Sequence, residues 1–199
     1  MQFATIPVER GAPSITGEVY APSGKPKALD VRRLSPFQRV LLATDGTVTD
    51  ILEAYTGQKL TVVKLLHSVV RITGDVAGYL EIDANERVLL RRILLQGERD
   101  QRNYIYGESL LLPRRLNRKL RQDLFATRKP IGQLIGEARL ETRREILGCG
   151  TERAGELGKY FGVDTRATMV ARTYRVFVAR RAVMLITERF PRVLFGGGG

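Results

Sequence analysis

"RVLLRRILLQGERDQRNYIYGESLLLP", residues 87–113, is the stretch that decides the fold class. Two runs rich in leucine, β-branched and aromatic residues flank "ERDQR", residues 98–102, as expected of two strands joined by a hairpin loop. A third such run, "KLTVVKLLHSVVRI", occupies residues 59–72. Because these runs follow one another instead of alternating with helices, the sequence predicts an α+β fold with an antiparallel sheet.

The C-terminal part of the chain adds further strand-like runs. "ATMVARTYRVFVA" (167–179) and "RAVMLITERF" (181–190) predict a second hairpin that turns around Ala179–Arg181. "RLETRREILGCG" (139–150) is ambiguous between a helix and a strand, and we favour the strand. These runs strengthen the prediction of an antiparallel sheet.

A first helix is predicted within "LSPFQRVLLATDGTVTDILEAYTG", residues 34–57. Ser35 followed by Pro36 is typical of a helix start, with a cap residue and then proline at the first helical position. Its apolar stripe, with spacings of three and four residues, is formed by Phe37, Val40 and Leu41.

A second helix follows in the same stretch. Thr47 and Asp50 have the spacing of a capping box, and Gly57 is expected to end the helix. The signals for later short helices are Leu116, Leu120 and Leu124 at helical spacing, Pro130 before "IGQLIGEA", and Gly162 after "ERAGELGKYF".

Composition sets the expected domain boundaries. Residues 1–34 are rich in proline, glycine and charge, which predicts an extended N-terminal segment. We expect residues 35–195 to form a single domain. The run "GGGG" at 196–199 predicts a flexible tail. No apolar run reaches the roughly 18–20 residues of a membrane span, and the N-terminus lacks a secretory pattern. One cysteine rules out an internal disulfide and suits a reducing compartment. We expect a cytoplasmic protein without stable membrane insertion, and a monomer.

The formal net charge of +12 allows three interpretations. Basic patches bind nucleic-acid phosphates, a positive field attracts small anionic substrates, and a basic surface can also be merely solvated. The chain has no zinc-finger spacing, no aromatic signature of an RNA-binding sheet and no clear helix-turn-helix. We therefore expect no nucleic-acid partner.

The sequence offers few residues for metal or cofactor chemistry. His67 is the only histidine and Cys149 the only cysteine, so the sequence shows no zinc or thiol–histidine constellation. No glycine-rich nucleotide loop is present. We expect no cofactor and no metal, a structural role for His67 in its strand, and a small buried apolar role for Cys149.

One carboxylate stands out in "AVMLITERF", residues 182–190, because the period of two places Glu188 on a face that is otherwise apolar. In "VLLRRILL" the same alternation puts Arg91 and Arg92 on opposite faces, so the core face carries an arginine in either case. Two interpretations stay open. The glutamate and an arginine form a structural ion pair, or a ligand between them offers a carboxylate to the arginine and a hydroxyl to the glutamate.

Several blocks resemble the chorismate–pyruvate lyases. "LLRRILLQG", "YGESLLLP", "KPIGQL" and "MLITERF" occur in the family's order and spacing, and "LSPFQRVLLATDGTVTDILEAYTG" is similar to a divergent branch. The resemblance spans about residues 35–192. It implies a six-stranded antiparallel sheet with helices packed on it and an enclosed active site. It also implies cofactor-free conversion of chorismate to 4-hydroxybenzoate and pyruvate, which supplies quinone biosynthesis (ubiquinone or plastoquinone).

The resemblance also implies roles for particular residues. Arg91 matches the arginine that binds the ring carboxylate, and Glu188 matches the glutamate that meets the 4-hydroxyl group. The remaining positions, which bring backbone amides or line the site, are Val48 or Thr47, Ile131 and Gly107. Arg92 departs from the acidic residue of some members, and the basic N-terminal extension is a second departure.

Two questions stay open at this level. The enolpyruvyl carboxylate of chorismate needs a second cation, for which the candidates are Arg92, Arg128, Lys129 and Arg143. The alternative function is that of a non-catalytic domain that binds a small effector, because the same fold resembles the ligand-sensing domains of some bacterial transcription regulators. No DNA-binding domain precedes residue 35, so we expect the enzyme.

Overall fold

The computed structural model describes residues 14–15, 29–72 and 75–196. Within these residues, seven strands form one sheet in the order β1-β2-β3-β4-β7-β6-β5. The strands are β1 Ser14–Ile15, β2 Leu60–Ile72, β3 Arg87–Gly97, β4 Asn103–Leu111, β5 Thr142–Arg153, β6 Thr168–Val178 and β7 Arg181–Pro191.

Short helices connect and cover these strands. The α-helices are α1 Pro36–Ala43, α2 Val48–Thr56, α3 Asp75–Leu80, α4 Arg118–Ala126, α5 Ile131–Glu137 and α6 Gly158–Phe161. Single 3₁₀ turns lie at Val31–Arg33, Pro113–Arg115, Gly155–Leu157 and Arg192–Phe195. None of the described helices has both the length and the apolar character needed to cross a membrane.

All pairs from β2 to β7 are antiparallel, which confirms the predicted α+β class and the six-stranded antiparallel sheet. The two-residue strand β1 adds a parallel pair at the edge of β2. The second hairpin is also confirmed: Ala179 and Arg180 join β6 to β7 with φ angles of 47° and 65°, the left-handed conformation that a two-residue hairpin turn requires.

One face of the sheet carries most of the helices. The apolar side chains of α1 and α2 pack on the strands near Ile93 and Phe190, and those of α4 and α5 pack near Leu111 and Met184. On the other face α3 covers one end of the sheet. Between the cores on the helical face lies a cavity with apolar walls and a few charged side chains, and this cavity is the candidate site.

The start of α1 follows the prediction, but its buried face does not. Ser35 and Gln38 cap each other, and the helix begins at Pro36. Val40 is 49% exposed, whereas Gln38 is 1% exposed and donates to the carbonyl of Arg192. The buried side therefore runs through Gln38, and the predicted stripe through Val40 is wrong.

Other local predictions had mixed outcomes. Thr47 precedes α2 but makes no capping hydrogen bond through its side chain, so the capping box is wrong, while Gly57 ends the helix in the left-handed conformation. The ambiguous stretch from residue 139 contains strand β5, as favoured. Helix α3 was not predicted, because six residues are too few for a helical period to emerge.

The domain boundaries remain predictions. Of the proposed N-terminal segment the structure describes only residues 14–15 and 29–34, and residues 197–199 of the proposed tail lie outside the described part. The core described above begins with Leu34 and ends with Phe195.

Candidate functional site

A small cavity lies between the sheet and the first turns of α2 and α5. Its volume is about 50 Å³. Two charged side chains from the sheet line the cavity, Arg91 on β3 and Glu188 on β7. Strand β4 lies between these two strands. Of the other residues predicted for the site, Gly107, Val48 and Ile131 also line the cavity.

The strand register explains why these residues meet. Arg91 pairs with Ser109, which pairs with Ile186 on β7. In the next row of the same face, Gly107 pairs with Glu188. Because paired residues point to the same face of a sheet, Arg91 and Glu188 both project towards the helices.

Arg91 is a buried cation for which the described residues offer no ion-pair partner. It is 2% exposed, and its Nε and Nη2 atoms have no hydrogen-bond acceptor in the described part of the chain. Burial lowers the pKa of Arg91 to about 10, so the guanidinium keeps its proton at neutral pH. Leaving such a charge unpaired is costly, and the free Nε–Nη2 edge has the geometry that grips a carboxylate with two parallel hydrogen bonds.

Glu188 has protein partners of its own. It accepts a hydrogen bond of 2.8 Å from Nε of Arg172 and one of 3.0 Å from the hydroxyl of Tyr174. Arg172 is 2% exposed and also donates to the carbonyl of Thr44. The open question of a buried Arg–Glu pair is therefore answered with an unexpected partner, because Glu188 pairs with Arg172 on β6.

The Arg172–Glu188–Tyr174 group holds its charges in place. Burial acts to lower the pKa of Arg172, but the charge of Glu188, the nearby Tyr174 and the hydrogen bond to Glu188 together outweigh burial, and the pKa is raised above its usual value. Burial and the charge of Glu188 also raise the pKa of Tyr174. The tyrosine hydroxyl therefore stays protonated at neutral pH and remains a donor to Glu188.

Arg92 belongs to the other face of the sheet. It forms an ion pair with Glu108, whose carboxylate also lies 4.0 Å from the guanidinium of Arg189. The arginine on the helix-covered face is thus Arg91, and Arg92 is a poor candidate for a ligand contact in the cavity.

Backbone groups and a glycine shape the remaining walls. Val48 and Ile131 are the first residues of α2 and α5, where backbone N–H groups have no partner within the helix. Thr47 does not line the cavity, and its side chain instead packs against Gly132 of α5. Gly107 stands opposite Ile93, and a Cβ there would come within 3.3 Å of the isoleucine side chain, so glycine keeps the space beside Glu188 open.

Comparison with known proteins decides the family. The model of the Rv2949c-like chorismate pyruvate-lyase family matches residues 42–195, which contain Arg91, Glu188 and the first turns of α2 and α5. The chain belongs to this family.

Relatives in the family are distant in sequence. The chorismate pyruvate-lyase of Mycobacterium tuberculosis is 26% identical over 169 residues, which cover 83% of this chain and 85% of the relative. That of Mycobacterium leprae is 29% identical over 173 residues, covering 83% and 79%. The chain is thus a divergent member of the chorismate pyruvate-lyase family.

Solved structures support the fold of this family member. The effector domain of PhnF from Mycobacterium smegmatis superposes with a TM-score of 0.61 at 16% identity, over 75% of this chain and 91% of that domain. Complete PhnF gives a TM-score of 0.63 at 16% identity, and here the match spans 75% of this chain and only 65% of PhnF. At this identity the likeness shows the fold alone.

None of the four cations proposed for a second carboxylate lines the cavity in this chorismate pyruvate-lyase family member. Arg128 donates to the carbonyl of Val62, and Lys129 pairs with Glu137. Arg143 is paired with Glu145. The cavity is lined by the neighbouring residue Arg144 instead.

Sequence reasoning missed Arg144 and Arg172 for a simple reason. Both lie on strands whose partners and faces depend on pairing register, and a bulge shifts this register in the β5–β6 pair and in the β6–β7 pair. Arg172 pairs directly across β6–β7 with Glu188, and testing all cationic positions of the predicted hairpin against Glu188 would have found it.

Lys64 and His67 form a second missed feature, next to Arg91. His67 pairs with Arg91 across β2–β3, and Lys64 pairs with Ile93. A bulge between Lys64 and Leu66 shifts the alternation, so Lys64 and His67 share the helix-covered face. Burial and the charges of Arg91 and Lys64 lower the pKa of His67 to about 4.

Proposed function

We propose that the protein is a chorismate pyruvate-lyase, which converts chorismate to 4-hydroxybenzoate and pyruvate without a metal or organic cofactor. The observation that carries this proposal is the buried guanidinium of Arg91, whose Nε and Nη2 atoms find no acceptor among the described residues and which faces a cavity that Glu188 also lines. A family match over residues 42–195 supports the same reaction.

The roles follow from the chemistry of chorismate. The C1 carboxylate binds the free edge of Arg91, with help from the backbone N–H groups at Val48 and Ile131. The C4 hydroxyl, at the opposite end of the ring, donates to Glu188. Two protein donors occupy Glu188, and a carboxylate has about four acceptor positions, so a third hydrogen bond can form.

The reaction is an elimination that the ring itself drives. The ether bond at C3 breaks, the C4 hydrogen leaves as a proton, and the ring becomes aromatic. The leaving enolpyruvate takes up a proton at its methylene carbon and becomes pyruvate. Because aromatisation supplies the driving force, the protein mainly positions the substrate and stabilises developing negative charge. Glu188 orients the hydroxyl and assists the proton transfer.

Binding requires the site to widen. The cavity of about 50 Å³ is well below the roughly 300 Å³ at the lower end of small-molecule pockets. The sheet is held by continuous strand pairing, whereas the cover consists of the first turns of two short helices. We propose that α2 and α5 move apart to admit chorismate and close over it.

The direct test incubates the purified protein with chorismate in metal-free buffer that contains a chelator. We expect 4-hydroxybenzoate and pyruvate in equal amounts, at a rate that the chelator does not change. Arg91→Met serves as the inactive control. Folded protein that forms neither product would contradict the proposal.

A second candidate function is binding without catalysis. The effector domain of PhnF shares the fold, and a cationic, enclosed cavity suits an anionic effector as well as a substrate. Thermal stabilisation by 4-hydroxybenzoate with no turnover of chorismate would favour this effector-binding function.

The cellular setting belongs to the same proposal. We propose that the protein acts as a monomer in the cytoplasm and supplies 4-hydroxybenzoate to quinone biosynthesis. Size-exclusion chromatography with light scattering tests the oligomeric state.

A further inference from the structure

Arg144 brings a second positive charge to the cavity from the side opposite Arg91. It lies on β5, and β4, β7 and β6 separate this strand from β3 in the sheet. Its Nη1 atom donates to the carbonyl of Asp45, in the segment between α1 and α2 that reaches the cavity at Gly46. The two arginines therefore approach the same cavity from its two ends.

Arg144 forms no ion pair with an acidic side chain among the described residues. Glu188 is the one carboxylate among the described lining residues, and Arg172 already pairs with it. Arg144 has only a carbonyl as its partner, and no ion pair joins it to an acidic side chain in the described part of the chain. The Glu188 end of the cavity thus carries a surplus positive charge.

The shape of chorismate matches this distribution. With its C1 carboxylate on Arg91 and its C4 hydroxyl on Glu188, the ring spans the cavity between β3 and β7. The enolpyruvyl ether is attached at C3, next to C4, so its carboxylate belongs at the Glu188 end. Arg144 is the lining cation that stands beyond Glu188 on that side of the sheet.

We propose that Arg144 binds the second carboxylate of the ligand, and that the site is built for ring dicarboxylates rather than for monocarboxylates. This inference rests on the proposed function, since it uses the same orientation of the ring. It also assigns a role in leaving-group departure, because the guanidinium stabilises the negative charge that grows on the enolpyruvate as the ether bond breaks.

Lys64 fits this role less well. Its ammonium group donates to the carbonyl of Phe125, and it sits beside Arg91, at the end that receives the ring carboxylate. Lys64 does not line the cavity. To place its carboxylate near Lys64, the enolpyruvyl group would have to fold back from C3 over the ring. The same carboxylate reaches Arg144 without folding back.

The chain supplies a matched control for the test. Arg143 precedes Arg144 on the same strand, is paired with Glu145, and lies 4.1 Å from the ring centre of Phe177. Arg143→Met and Arg144→Met therefore remove the same charge from the same strand, and only the second removes it from the cavity.

The experiment measures binding of two unreactive ligands by calorimetry. One is the monocarboxylate 4-hydroxybenzoate, and the other is the dicarboxylate 3-(carboxymethoxy)-4-hydroxybenzoate. We expect Arg144→Met to weaken the dicarboxylate by about tenfold or more, the size of a charged hydrogen bond, and to change the monocarboxylate by less than about twofold. Arg143→Met should change neither, and Arg144→Lys should retain part of the preference for the dicarboxylate.

The outcomes separate this inference from the proposed function. If Arg144→Met weakens both ligands equally, or neither, the subsite is wrong even when chorismate is turned over normally. If chorismate is not turned over but the dicarboxylate preference depends on Arg144, the lyase proposal fails and the dicarboxylate site stands. Should Arg144→Met not fold, Arg144→Gln provides the same comparison, and melting curves with and without each ligand report on both variants.

Discussion

The positive charge of Arg91 is buried, and the described protein groups do not stabilise it. Its side chain is 2% exposed and its free guanidinium edge has no acceptor among the described residues. Replacing a buried ion pair by well-packed apolar side chains is often neutral or stabilising by about 1–4 kcal/mol, and a buried charge that lacks a partner is less favourable than a paired one. We expect Arg91→Met to raise the free energy of unfolding by roughly this amount and to abolish stabilisation by 4-hydroxybenzoate, as measured by urea unfolding.

Arg92→Met is the control for this prediction, because it removes a charge from the same strand but from the opposite face. It breaks the ion pair with the buried carboxylate of Glu108 and should therefore lower stability. Equal destabilisation by both variants would mean that Arg91 has a structural role.

Glu188 combines a structural and a chemical role. Glu188→Gln removes the charge that pairs with Arg172, and breaking a buried pair costs about 3–5 kcal/mol. We also expect turnover per folded molecule to fall by roughly 10²–10⁴, the usual size of an acid–base contribution. Melting and turnover are measured on the same sample so that the two effects are separated.

Tyr174→Phe is the matched control for Glu188→Gln. It removes one hydrogen bond to Glu188 but keeps the carboxylate, so we expect a stability loss of about 1 kcal/mol and a much smaller loss of turnover. Near-normal turnover per folded molecule of Glu188→Gln would show that the carboxylate serves the fold only.

His67 is a natural reporter of ligand binding because it is the only histidine in the chain. Burial, together with the charges of Arg91 and Lys64, lowers its pKa to about 4. A carboxylate bound to Arg91 opposes those charges, so we expect the pKa of His67 to rise when 4-hydroxybenzoate is added. An NMR titration of the single imidazole measures it, and in Arg91→Met the ligand should cause no such rise.

The same depressed pKa has a consequence for stability. The unfolded chain binds a proton at His67 with a pKa of about 6.5, whereas the folded protein does so only near pH 4. Between these values the unfolded state holds more protons, so the contribution of His67 to stability is lost as the pH falls from about 6.5 towards 4.

At the scale of elements, the close contact of α2 and α5 forms the cover of the site. A Cβ at Gly132 would lie 2.3 Å from Cγ2 of Thr47, so glycine is needed where α5 crosses the start of α2. We expect Gly132→Ala to cost about 1–3 kcal/mol, as overpacking does, and to weaken ligand binding. The double variant Thr47→Ala/Gly132→Ala should recover most of the loss, since Thr47 makes no capping bond.

Gly136 offers the control on the same helix. A Cβ there would meet nothing within 4 Å, so Gly136→Ala should be neutral or slightly stabilising through better helix propensity. If both alanine variants have the same melting temperature, the contact between α2 and α5 does not stabilise the cover of the site.

At the scale of the whole molecule, the net charge of +12 produces a field that favours anionic ligands. Added salt screens this field over about 10 Å at 0.1 M. We expect the association rate constant of the dicarboxylate ligand to fall with ionic strength, and more steeply than that of 4-hydroxybenzoate, which carries one charge fewer. Stopped-flow fluorescence measures both rate constants. If neither changes with ionic strength, the basic surface is merely solvated and does not attract the ligand.

Local pattern was enough for much of the architecture. Leucine-rich and β-branched runs marked the strands, "ERDQR" and Ala179–Arg181 marked the hairpins, and Ser35–Pro36 marked a helix start. Each of these signals depends on a few neighbouring residues and their backbone preferences. Where a distant contact competes, the local signal failed, as at Thr47, whose side chain packs against α5 instead of capping α2.

The sequence by itself determined the fold class, the family resemblance, and the choice of Arg91 and Glu188 as the residues to test. Only the tertiary structure decided that Arg172 pairs with Glu188, that Arg144 rather than Arg143 lines the cavity, and that Lys64 and His67 share a face. The physical reason is strand register. A side chain's face and its partner across the sheet depend on bulges and on pairing between segments far apart in the chain, and neither is encoded in the spacing of one segment.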